Sequence, residues 1–218
     1  MTDLNSRDRP LSEAGRLAPA DRAVVLVGFG LAGASAPAGL PPLLAVAQRL
    51  AGLVPVPIHP LTPLDDPNVA LTPLGGAGRA VGKAQAAGHS RPGEPGPGAL
   101  AVLEMDVGLA LPGGGSWVEA LGAWRQPCLL VIGADQLACG WPAAGTALLQ
   151  RWRVPLLGLM QWGGDWDTTA RRRDGLPWLG QAGEAGLFDG AQAGEDGREG
   201  EHALAAVLAL RWQQLDLS

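Results

Sequence analysis

Short apolar, β-branched runs alternate with stretches of helical spacing along most of the chain. The run 23–27 ends at Gly28 and reads as a buried strand. Leu40, Leu43, Leu44, Ala47 and Leu50 then recur at helical spacing, which predicts a helix over 41–50 with Pro41 and Pro42 in its first turn. A second strand is expected over 53–58, and its Pro55 and Pro57 suit a sheet edge, where a missing N–H costs no ladder bond. Residues 62–98 are rich in Pro, Gly, Ala and Ser and exceed ordinary loop lengths. The second half is more regular. Strands are expected over 99–104, 127–132, 155–161 and 176–179. A helix starts at the capping box Ser116-Trp117-Val118-Glu119 and runs to about Trp124, and another covers 142–153. A Gly- and acid-rich loop covers 181–200. A closing helix over 201–214 gathers Leu204, Val207, Leu208 and Trp212 on one side.

Strands alternating with helices predict a doubly wound parallel sheet with helices on both faces. Residues 1–20 read as a flexible tail and 21–218 as one α/β domain carrying the long 62–98 loop. Ligands of such sheets bind outside the carboxyl ends of the strands, so the segments after Val27, Ile58, Leu103, Ile132 and Met160 hold the candidate chemistry.

Composition narrows the class. The net charge of −5 and the scattering of arginines, apart from Arg171-Arg172-Arg173, argue against a nucleic-acid partner. No run is apolar and long enough for a membrane span, and residues 1–21 lack the apolar middle of a secretory signal, so a cytoplasmic protein is expected. Cys128 and Cys139 form no CxxC pair and read as reduced thiols. His89 and His202 have no metal partners by spacing. Trp162, Trp166 and Trp178 flank the arginine run. They suggest an aromatic wall beside an anion-binding patch, or a packed loop with a solvated charge run.

Gly28-Phe29-Gly30-Leu31-Ala32-Gly33 matches GxGxxG directly after the first strand. Gly28, Gly30 and Gly33 are therefore candidate nucleotide-binding residues, as glycines let a pyrophosphate approach the backbone. A dinucleotide-binding oxidoreductase would need an acid at the end of the second strand, where His59 stands. A mononucleotide loop GxxxxGK[ST] is absent, because the chain's single lysine is Lys83, within a loop where Ala84 replaces the required hydroxyl.

The segment Val102-Leu103-Glu104-Met105-Asp106-Val107-Gly108-Leu109-Ala110-Leu111-Pro112 resembles the VEGAGG…P segment of dethiobiotin synthetases, with Glu104, Gly108 and Pro112 at matching spacing. Pro127-Cys128-Leu129-Leu130-Val131-Ile132-Gly133 is similar to the family's LPVILVVG strand. Ile58-His59-Pro60 stands where the family has KPV. The likeness is loose over 24–61 and better over 100–179. It implies a P-loop NTPase-like topology, a homodimer, and ATP- and Mg²⁺-dependent closure of a ureido ring in biotin synthesis. By the same resemblance Glu104 stands at a metal-ligand position, His59 replaces a catalytic lysine, and Gln161 stands near an adenine-reading asparagine.

Two departures change that expectation. The phosphate-gripping lysine of the glycine loop and the lysine of KPV are both missing. Phosphorylating a carbamate requires cations around the γ-phosphate. The sequence therefore points to a dethiobiotin synthetase-like protein with lost or weakened ligase activity, acting as a binding or partner protein whose counterpart is a small-molecule ligand or a protein. An active ligase using Mg and ATP with an altered phosphate loop is the alternative, and an oxidoreductase using the 28–33 loop is the third reading.

Overall fold

The computed structural model describes residues 22–30, 41–54, 56–62, 66–74, 98–183 and 195–216, with side chains of the closing helix given over 204–214. The first apolar run forms β1 (Val24–Gly28), and all five of its residues are buried. Burial on both faces is what a β-branched run without polar alternation predicts. The other strands are β2 (Ile58–Leu61), β3 (Leu100–Asp106), β4 (Cys128–Gly133), β5 (Leu156–Trp162) and β6 (Trp178–Ala182). All pair in parallel, in the order β2-β3-β1-β4-β5-β6.

The helices are α1 (Leu43–Leu53), α2 (Pro67–Leu71), α3 (Trp117–Ala123), α4 (Trp141–Arg151), α5 (Thr168–Arg173) and α6 (Glu195–Asp216). Leu43, Val46, Ala47 and Leu50 form the buried stripe of α1, and they pack with Leu204, Leu208 and Trp212 of α6 on one face of the sheet. Leu71, Trp117, Val118, Leu121 and Leu149 from α2, α3 and α4 cover the other face. Chain direction explains the split. The β1-to-β2 connection runs toward one edge and the β3-to-β4 connection toward the other, so right-handed crossovers put α1 and α3 on opposite faces. The molecule is thus a doubly wound parallel α/β sheet of the Rossmannoid or P-loop-like kind.

Several boundaries differ from those expected. Residues 53–58 are not the second strand. α1 continues to Leu53, and β2 begins at Ile58, after Pro57. The edge placement holds, because among the described residues β2 pairs only with β3, and it tolerates Pro60 within it. The 62–98 segment contains α2, started by Pro67 and capped by the Asp66 side chain, which accepts from Asn68 N. Single-turn helices such as α2 and α5 carry too little periodicity to be read from a sequence. Gln181 belongs to β6 rather than to a loop, and α6 starts six residues before the expected 201. The expected tail 1–20, Gly33, Lys83 and His89 lie outside the described residues. Among the described residues no helix is long and apolar enough to cross a membrane.

The two cysteines differ sharply. Cys128 is fully buried in β4 and its thiol donates to Gln126 O at 3.4 Å, whereas Cys139 is exposed. Burial pushes the Cys128 thiol well above its ordinary range. A thiol reagent at pH 8 is expected to label Cys139 alone in the native protein and both residues in guanidinium. Fast native labelling of both would overturn the burial of β4. Above about pH 8.5 the unfolded thiol ionises and the folded one does not, so stability falls as pH rises through that region.

Candidate functional site

The connection leaving β1 and the connection leaving β3 diverge around the carboxyl end of β1, which lies between β3 and β4. Such a divergence opens the crevice in which ligands of doubly wound sheets bind. Gly28, Phe29 and Gly30 occupy this point.

Two polar side chains hold the loop, one from each neighbouring strand. Asp106, at the end of β3, is 7% exposed. Its Oδ2 accepts from Gly30 N at 3.0 Å and its Oδ1 from Gly108 N at 2.8 Å. The register between β1 and β3 shifts past Leu26, and this shift brings Asp106 opposite Gly28. From the β4 side comes Gln136, fully buried in a 3-10 helix over Ala134–Cys139. Its Nε2 donates to Phe29 O at 2.5 Å, and its Oε1 accepts from Gly133 N at 2.9 Å. The Phe29 ring is buried, stacks on Trp141 at 6.2 Å, and lies against Gly108 and Gly145, where a Cβ would meet it.

The residues singled out from the sequence distribute around this centre. Gly28 and Gly30 are at it. Glu104 lies two residues before Asp106 on β3 and is exposed. His59 opposes Ala101 from β2, two strands and thus about 10 Å from β1, and its buried Nε2 has no hydrogen-bond partner among the described residues. Gln161 lies on β5, two strands to the other side. The sheet therefore spreads His59 and Gln161 about 20 Å apart, with the glycine loop between them.

Gln161 is fully buried, and its amide already serves the chain. Nε2 donates to Gly163 O at 2.7 Å and to Asp165 O at 3.1 Å. Gln181, its partner across β5 and β6, donates to Gly163 O and Gly164 O. Together they hold a turn in which Gly163 and Gly164 adopt φ of +68° and +66°, conformations that favour glycine. Gln161 Oε1 is buried without a partner among the described residues.

The tryptophans divide between the two faces. Trp162 packs with the α1 core and borders an open cleft of about 490 Å³ lined by Pro42, Ala45, Gln48 and Arg49. Trp166 meets Trp178 edge-on at 6.0 Å. Arg171 stacks over Trp178 at 4.9 Å and pairs with Asp174 at 3.4 Å. Trp178 Nε1 donates to both Asp174 oxygens at 3.1 and 2.8 Å. Of the arginine run, Arg171 is thus committed to an internal Trp–Arg–Asp contact, the packed-loop reading of this segment.

Asp106, Gln136 and Gln181 were not singled out in the sequence. A strand ending in an acid was the available signal for Asp106. Nothing in a sequence tells that Gln136 reaches Phe29, 107 residues away. No family model matches the chain, and no curated protein matches it.

Proposed function

We propose that the chain is a ligand- or partner-binding protein built on a phosphate-binding layout, with lost or greatly weakened ATP-dependent ligase chemistry of the dethiobiotin synthetase type. The observation that carries this reading is the occupation of the Gly30 amide by the chain itself. Gly30 N, placed where a glycine loop would meet a phosphate, donates to the Asp106 carboxylate. Two features support this reading: Asp106 spends both oxygens on backbone amides, and the 28–33 glycine loop contains no lysine. With no lysine in the glycine loop, a triphosphate beside the buried Asp106 carboxylate would meet like charge in a region of low dielectric.

The oxidoreductase reading is weaker on one further observation. The order β2-β3-β1-β4-β5-β6 departs from the 3-2-1-4-5-6 order of dinucleotide-binding sheets.

Isothermal titration calorimetry with AMP-PNP and Mg²⁺ tests the proposal. No binding at millimolar nucleotide is expected. Micromolar binding that disappears in Glu104→Ala would sink the reading and restore the active ligase.

A further inference from the structure

The Asp106 carboxylate is buried, and among the described residues no basic side chain pairs with it. Its negative charge is met by the two main-chain amides of Gly30 and Gly108. Converging amides of this kind bind anions generally, and the geometry does not depend on which anion supplies the oxygens. Both donors are glycines. At Gly108 an added Cβ would lie 3.3 Å from Asp106 Oδ1 and 3.5 Å from the Phe29 ring, so the missing side chain keeps this approach open. The loop is fixed from the opposite side by Gln136 on Phe29 O, which holds Gly30 N in place independently of Asp106.

We propose that Gly30 N and Gly108 N form a binding site for a small oxyanion, of the phosphate or pyrophosphate class, which Asp106 fills as a built-in competitor. The inference rests on the phosphate-binding layout proposed above and adds what controls it. An entering oxyanion must displace the carboxylate or share the amides with it. Sharing places two anions together in a nearly dry site with no lysine near in sequence. Asp106 thus acts as a lock on the loop, and removing its charge opens the site.

The test is an NMR titration of ¹⁵N-labelled full-length protein with inorganic pyrophosphate, read at the Gly30 and Gly108 amides. Asp106→Ala is expected to bind pyrophosphate about tenfold or more tightly than the wild type, with the largest shifts at those two amides. Asp106→Asn keeps an oxygen for one amide and loses the charge, and is expected to gain affinity in the same direction. Equal affinity of the folded variants and the wild type overturns the proposal, as does tighter binding that leaves both amides unshifted. If Asp106→Ala does not fold, the Asp106→Asn comparison decides by the same criterion. The two readings separate cleanly. Nucleotide binding by the wild type counts against lost ATP chemistry and leaves the pyrophosphate comparison intact, whereas equal pyrophosphate affinities remove the lock alone.

Discussion

Gly122→Ala is expected to destabilise the protein by about 2 kcal/mol, although alanine is the better helix former. Gly122 lies on the buried stripe of α3. A Cβ there would run into the backbone carbonyl oxygen of Trp152 and come within 3.0 Å of its carbonyl carbon. The obstacle is main chain at the end of α4, held by Trp152 N donating to Leu148 O and by the turn through Arg153. No rotamer change can relieve it, so α3 or the turn must shift. The propensity gain is about 1 kcal/mol, and overpacking of a tight contact costs about 1–3 kcal/mol or more. The clash therefore decides the sign. For a chain of this size the loss corresponds to a drop in Tm of roughly 4–8 °C. Thermal unfolding of the variant checks it, and an unchanged or raised Tm would show that α3 does not approach Trp152 this closely.

Gln136→Leu is expected to cost about 2–4 kcal/mol, and the loss arises at the candidate site itself. The substitution leaves Gly133 N and Phe29 O without the partners that Gln136 supplies, and both contacts are buried. A buried group stripped of its partner costs about 1–3 kcal/mol, and the extra apolar burial of leucine offsets only part of two such losses. Gln136→Glu separates the two bonds. A carboxylate still accepts from Gly133 N, yet it turns an acceptor toward the Phe29 carbonyl, so this variant is also expected to lose stability. Denaturant unfolding measures both, and near-UV circular dichroism of the Phe29–Trp141 stack reports whether the loop moved. A neutral Gln136→Leu would mean that the loop is not held from the β4 side.

The two predictions concern different kinds of constraint. The first tests the packing of two helices on one face of the sheet. The second tests a polar link from β4 to the loop after β1. Together with Asp106 on the β3 side, that link explains how Phe29 and Gly30 are held at the carboxyl end of β1. The proposed lock rests on the charge of Asp106, which stands on the amides of Gly30 and Gly108.

By itself the sequence determined the strand and helix alternation, the place of a glycine-rich segment directly after the first strand, and the absence of a lysine from it. These are properties of local pattern. Val24–Gly28 reads as a strand because every residue before the glycine is apolar and mostly β-branched, and α1 reads as a helix because Leu43, Ala47 and Leu50 repeat at its pitch. The Ser116 cap was also legible, since its partner Glu119 N is three residues away. The tertiary structure decided the rest. Strand order depends on crossovers that no local pattern encodes. Asp106 rather than Glu104 meets the loop because a shift in register past Leu26 sets which carboxylate faces Gly28. Gln136 and Gln181 became structural because their partners, Phe29 O and Gly164 O, are 107 and 17 residues away in sequence. A hydrogen bond recognises distance in space, and only the folded chain supplies it.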